Sequence, residues 1–166
     1  MGLDCMSQLS RNSDIRIAGY AALFDRVDRG GDVIRRGAFR YALERQKNWP
    51  LLWQHRQDQQ IGQIVYAAED RRGLRIIARL AGGDDIAAKA RQMLTQRAVT
   101  GLSFGYRVRS FAEVLQSSLA RRELLALDLV EVSMVTHPMQ PGAQIHMMTA
   151  NTQTEFPQSP ILKAPM

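Results

Sequence analysis

The sequence predicts a mainly β fold, a barrel or sandwich with two or three helices packed outside it. Three observations carry this. Residues 101–108 alternate with the period of a strand, Leu102, Phe104, Tyr106 and Val108 on one face and Gly101, Ser103, Gly105 and Arg107 on the other. Two apolar runs, 61–68 and 74–80, flank Glu69-Asp70-Arg71-Arg72-Gly73, turn chemistry in which Gly73 is free to take positive φ, so they read as a hairpin. Strand-like segments also outnumber helix-like ones and are mixed with them in order.

In chain order, residues 1–13 are polar and read as a flexible N-terminus. Residues 15–23 form a first strand, with Gly19 marking a bulge or a close backbone approach. A charged loop, 25–31, ends in Gly30-Gly31. In 37–47, Ala38, Phe39, Ala42 and Leu43 are spaced for one face of a short helix. Pro50 stops it and opens the run Leu51-Leu52-Trp53, which ends at His55 before a polar loop, 56–60. After the hairpin, Gly82-Gly83 breaks the second strand. Asp84 or Asp85 caps a helix that carries Ile86, Ala90, Met93 and Leu94 on one face to about Gln96. The stretch 111–122 reads either as strand extension or as a helical turn. Residues 124–135 are apolar and β-branched enough for a central strand, ended by His137-Pro138. Three of the six prolines fall after Ala150, among Gln, Thr and Asn. The chain thus divides into a flexible start (1–13), a folded domain (14–149) and a disordered tail (150–166).

A chain of 166 residues with 45% hydrophobic and 23% charged residues can bury a core of its own. The one cysteine, Cys5, excludes an internal disulfide and any zinc site needing two thiolates. No apolar run approaches the roughly 20 residues of a membrane helix, and Met1 to Asn12 lacks the apolar core of a secretion signal. A cytoplasmic globular protein with no membrane association is expected. The charge is 22 − 16 = +6, nearly all of its base being arginine. The arginines are scattered in pairs such as Arg35-Arg36 and Arg121-Arg122, with no dense basic run interleaved with aromatics, so nucleic acid is not the expected partner.

Ser103 is the most informative residue for chemistry. Its same-face neighbours are both glycine, so its hydroxyl sits among bare backbone on a strand anchored by the opposite face, as a nucleophile requires. A strand that merely bends at two glycines is the alternative. Serine needs a base, and His55, His137 and His146 are the candidates. His55 leads because it ends a rigid element beside a loop that can open on a cleft. Glu131 lies inside Leu129-Val130-Glu131-Val132-Ser133-Met134-Val135, where an ionised carboxylate needs a partner. It either faces water with Ser133 on an edge strand or orients His55. Asp128, on the other parity, ranks below it. Gly30-Gly31-Asp32 is not a phosphate-binding loop, because no Gly-Lys-Ser/Thr follows. Gly101-Leu102-Ser103-Phe104-Gly105 has the letters of a nucleophile elbow but lies on an extended strand. The histidines have no metal-ligand spacing.

Over about residues 15–146 the sequence resembles the prohead serine proteases of tailed bacteriophages, prophages and gene-transfer particles. The blocks that carry the resemblance are, in order, Gly19-Tyr20-Ala21-Ala22-Leu23-Phe24, Gly31-Asp32-Val33-Ile34, Gly37-Ala38-Phe39, Pro50-Leu51-Leu52-Trp53-Gln54-His55, Ile61-Gly62, Gly73-Leu74, Gly101-Leu102-Ser103-Phe104-Gly105-Tyr106 and the run from Asp128 to Pro138. No motif aligns over 111–122. The resemblance implies a herpesvirus-assemblin-like β-barrel surrounded by helices. It implies a serine endopeptidase with Ser103 as nucleophile and His55 as base, without metal or cofactor. Glu131 is the choice for the third member; His137 is the alternative, since the herpesvirus relatives use a second histidine. The implied substrates are the major capsid protein or scaffold and the protease itself, with self-association possible, in the host cytoplasm inside the assembling procapsid. The competing reading is a non-enzymatic basic β-barrel that binds nucleic acid or capsid subunits.

Overall fold

The computed structural model describes residues 14–82, 84–115 and 119–151. The chain runs β1 (Asp14–Leu23), β2 (Asp32–Ile34), α1 (Arg40–Arg45), β3 (Trp49–Trp53), β4 (Arg56–Glu69), β5 (Gly73–Leu80), α2 (Asp85–Thr95), β6 (Gly101–Glu113), β7 (Arg122–Val135) and β8 (Ile145–Asn151). All eight strands belong to one sheet.

The run expected to be a central strand is the centre of the architecture. Along one edge, β7 pairs antiparallel with β6, from Gly101 opposite Val135 to Glu113 opposite Arg122. Its other edge takes two short parallel strands end to end, β2 beside Arg122 to Leu124 and β3 beside Val132 to Met134. A strand covered this way must be apolar, and Leu124, Leu127, Leu129, Val132 and Met134 are all buried. Each such side chain contributes about 1.5–3 kcal/mol by leaving water. From β3 the sheet continues antiparallel through β4, β5, β1 and β8.

The sheet curls until its two ends meet, but the expected barrel is not closed. At the seam, Leu102 N–H donates to the Ala143 carbonyl (2.9 Å), Ile145 N–H donates to the Thr100 carbonyl (2.8 Å), and one isolated bridge joins Gly101 to Gln144. Beyond it the two strands diverge. β6 follows β7 for its whole length, whereas β8 follows β1 from Ile145 opposite Gly19 to Asn151 opposite Asp14.

Two helices are present among the described residues. Asp84 caps α2, its carboxylate accepting the Ala87 N–H (2.6 Å), and Ala87, Ala90 and Leu94 face the core. The first helix is shorter than its spacing predicts. Gly37 and Phe39 donate their N–H groups to the Glu69 carboxylate (2.9 and 2.8 Å), which holds residues 37–39 in a turn before α1 begins.

Two other expectations change, at residues 56–60 and at the domain edge, and one open reading is decided. Residues 56–60 are the start of β4 rather than a loop; Arg56 and Gln60 pair with Trp53 and Leu52 of β3, and residues 57–59 bulge between them. The open stretch 111–122 is strand at both ends, finishing β6 and starting β7. The last strand runs two residues past the expected domain edge, so Ala150 and Asn151 pair with β1. Residues 1–13 and 152–166, read as a flexible start and a disordered tail, lie outside the described residues.

Candidate active site

The hairpin between β3 and β4 places the histidine. Trp53 pairs with Arg56, so Gln54 and His55 alone form the connection, at φ 51° and 61°. Two central residues at positive φ are what a type I′ hairpin turn requires. Neither is glycine, and the left-handed conformation costs each roughly 1–2 kcal/mol. The turn is held by bonds to β7 and the residue beyond it. Gln54 N–H donates to the Met134 carbonyl (3.0 Å), while its side chain donates to Thr136 Oγ1 (3.4 Å) and accepts the Thr136 N–H (3.3 Å). His55 N–H donates to Ser133 Oγ (3.1 Å). Strain held in place this way fixes one side chain's direction.

The imidazole is fixed in turn. Its Nδ1 lies 2.6 Å from Glu131 Oε1, and the other carboxylate oxygen accepts the Ser133 hydroxyl (2.6 Å). Backbone of His55, hydroxyl of Ser133, carboxylate of Glu131 and ring of His55 therefore close a circuit. Glu131 is 6% exposed and Ser133 0%, so the reading that both face water on an edge strand does not hold. The carboxylate accepts Nδ1–H, which fixes the tautomer and leaves Nε2 as the nitrogen free to take a proton. The ring keeps access to solvent, with 43% of its side chain exposed.

Ser103 stands opposite Ser133 in register on β6, and Gly105 stands opposite Glu131. Directly opposed residues of an antiparallel pair project to the same face, about 5 Å apart. Ser103, Ser133, Glu131 and the turn bearing His55 therefore gather on one face of the sheet. The two serines differ in what they can do. The Ser133 hydroxyl is fully engaged, whereas the Ser103 side chain has no hydrogen-bond partner among the described residues. Ser103 is 4% exposed and borders a cavity of about 80 Å³ together with Leu102, Phe104, Tyr106 and Met139. No hydrogen bond joins His55 to Ser103; the bonds of His55 go to Ser133 and Glu131.

The glycines flanking Ser103 serve a different purpose from the one their sequence position suggests. A Cβ on Gly105 would lie 2.6 Å from Glu131 Oε1, the oxygen that holds His55. A Cβ on Gly101 would lie 2.6 Å from the Val135 carbonyl and 2.9 Å from the Pro138 ring. They make room for the carboxylate and for the chain leaving β7, not for open space above the serine.

A second polar cluster was not anticipated. Asp32, buried at the start of β2, accepts two bonds from Arg122 (2.8 and 2.7 Å) and one from the Tyr106 hydroxyl (2.9 Å). Burial raises the Asp32 carboxyl, but the bonds from Arg122 and Tyr106 and the guanidinium charge outweigh it and hold the group below the usual range. Burial, then the Asp32 contact, pushes Tyr106 up to about 12. Asp32 and Tyr106 border the same small cavity as Ser103.

The remaining candidates lie apart from the circuit. His137 is exposed, with Nδ1 3.1 Å from Thr136 Oγ1. His146 on β8 packs edge-on against Tyr20, ring centres 5.9 Å apart. Asp128 pairs with Arg109 (3.2 Å). Among the described residues, no group of three or more His, Cys, Asp or Glu is placed to hold a metal ion, and no helix is long and apolar enough to cross a membrane. Ser133 and Gln54 are the positioning residues that sequence reasoning missed. Ser133 shared the parity of Glu131, and a buried carboxylate in need of donors was the signal for it.

The profile of the family described as Caudovirus prohead serine protease matches residues 2–158. The prohead protease of Enterobacteria phage HK97 is 29% identical over 133 residues, 78% of this chain and 58% of that protein. Two solved structures share the fold at low identity. Varicella-zoster virus protease matches with a TM-score of 0.51 and 16% identity, over 80% of this chain and 63% of that one. KSHV protease, solved with a hexapeptide phosphonate inhibitor, matches with a TM-score of 0.55 and 9% identity, over 83% and 66%. The chain thus spans under two thirds of the length of each of these relatives.

Proposed function

The chain belongs to the caudovirus prohead serine protease family, and from that premise we propose that it is a serine endopeptidase that cleaves capsid or scaffold protein, and itself, during prohead maturation. Its place of action is the assembling procapsid in the bacterial host cytoplasm. The observation that carries the reading is the closed His55–Glu131–Ser133 circuit one strand away from an unpartnered Ser103 hydroxyl.

In this mechanism Ser103 Oγ attacks the scissile carbonyl while His55 Nε2 takes its proton. The imidazolium that forms faces the Glu131 carboxylate, whose charge stabilises it without taking the proton. His55 then protonates the leaving amine, and the peptide C–N bond breaks to leave an ester on Ser103. Water, deprotonated by the same nitrogen, attacks the ester, and the returning proton restores the hydroxyl. Neither a metal nor a cofactor enters these steps.

The test is co-expression with the cognate capsid-protein precursor. The wild type should shorten the precursor, and Ser103→Ala should leave it at full length, a loss of at least about 10³-fold. Equal processing by both proteins would overturn the proposal.

A further inference from the structure

Beyond Gly105, the face of β6 that carries Ser103 turns basic. Arg107 and Arg109 follow at the same period of two, and both border a groove of about 380 Å³ between this part of the sheet and α1. Tyr41 and Arg45 of α1 form the opposite wall, with Asp128 beside them. Arg107 stands opposite Asp128 in register, yet Arg109 takes that carboxylate through both oxygens (3.2 Å each). Arg109 also lies over the Tyr41 ring, 3.8 Å from its centre, with Arg45 5.1 Å from the same centre. Arg107 is exposed and has no acidic partner among the described residues. Three guanidinium groups against one carboxylate leave the groove with two uncompensated positive charges.

We propose that this groove binds acidic side chains of the substrate polypeptide several residues from the cut bond, and so helps to choose where the chain is cleaved. The inference rests on the protease reading above. Its geometry follows from strand spacing. Arg107 lies four residues from Ser103, about 13 Å along β6, and Arg109 lies about 20 Å away. An extended peptide has the same rise, so the side chains that reach the groove stand four to six positions from the attacked carbonyl. Guanidinium forks suit carboxylates, and Arg107 has its donors unspent. A nucleic-acid strand fits less well. The Tyr41 ring is already engaged by two arginines, which removes the stacking platform a base would use, and two charges are few for a row of phosphates.

The test uses the Ser103→Ala protein and a fluorescent peptide of alternating glutamate and alanine, with anisotropy at low salt as the readout. This peptide should bind more tightly than its lysine counterpart, and Arg107→Glu with Arg45→Glu should weaken it by about tenfold or more. Arg71→Glu with Arg72→Glu, which changes the net charge by the same four units but lies on the exposed turn between β4 and β5, should leave it unchanged. Equal binding of the two peptides, or equal loss in Arg71→Glu with Arg72→Glu, overturns the proposal. So does an oligothymidylate that binds more tightly than the glutamate peptide and is lost in the groove variant, which would assign the groove to nucleic acid. A second arm digests a peptide mixture with the Ser103-containing protein. Cuts should show Asp or Glu enriched four to six positions away, and Arg107→Glu with Arg45→Glu should erase that enrichment while leaving other cuts intact. Cleavage without enrichment overturns the groove and leaves the protease standing. Glutamate-peptide binding without any cleavage overturns the protease and leaves the groove as an acidic-segment site.

Discussion

Gly105 is the residue on which the proposed chemistry is most finely balanced. Its missing Cβ gives space to the one carboxylate oxygen that holds His55. Gly105→Ala should push Glu131 aside, and a displacement on the order of 1 Å in a catalytic group can cost about 10²-fold in rate. Peptidase assays beside thermal melts should show activity falling far more than stability; full activity in this variant would disconnect Glu131 from catalysis. Glu131→Gln keeps the shape and removes the charge facing the imidazolium. A loss of about 10²–10⁴-fold in kcat with a cooperative melt is expected. Ser133→Ala tests the other half of the circuit. It leaves the His55 N–H and one oxygen of a buried carboxylate without their partner, which should cost about 1–3 kcal/mol of stability and part of the activity. Chemical denaturation measures the first, and an unchanged unfolding midpoint would contradict the geometry.

Among the elements, β2 does most for its size. It is three residues long, yet Asp32 ties it to Arg122 of β7 and Tyr106 of β6. Because the Asp32 carboxyl is held below its usual value in the fold, it contributes stability that is present above its unfolded value of about 3.9. That contribution is lost as pH falls through the lower folded value. The melting temperature of wild type should therefore exceed that of Asp32→Asn at pH 7, and the gap should shrink steadily below about pH 4. A gap that persists unchanged at pH 2.5 would mean the charge of Asp32 is not what matters. The β3–β4 turn is the other short element with a large effect. Residues 56–60 are polar and read as loop, but polar side chains on a solvent face are compatible with pairing. The two-residue turn that proves it has no glycine or asparagine to announce it. What keeps Gln54 and His55 in that turn is β7 and the residue after it, which lie 78 to 82 residues away in sequence. Local chemistry could not reveal it.

At the scale of the whole molecule, the sequence was most legible where period and burial coincide. Residues 124–135 read as a central strand because a run that apolar has nowhere else to go. The alternation at 101–108 placed Ser103 and Gly105 on one face. Ser103, His55 and Glu131 were each singled out from local pattern, and the fold brings Glu131 to His55 and sets Ser103 on the neighbouring strand. β2 and β8 were missed because three residues are too few to show a period, and because Ile145 to Asn151 carry exposed methionines. The barrel implied by the resemblance does not close, since beyond the bonds that join residues 100–102 to 143–145 β6 follows β7 and β8 follows β1. The proposed self-cleavage also belongs to this scale. Intact-mass analysis should find a shortened species in wild type and only full-length chain in Ser103→Ala; identical masses would remove the chain from its own substrates. The proposed mechanism stands on Ser103 being a nucleophile activated by His55. A fluorophosphonate reagent followed by peptide mapping tests it most directly. One adduct, on Ser103, is expected in the wild type, and it should disappear in His55→Ala. An adduct on another serine, or labelling of Ser103 that survives His55→Ala undiminished, would contradict it.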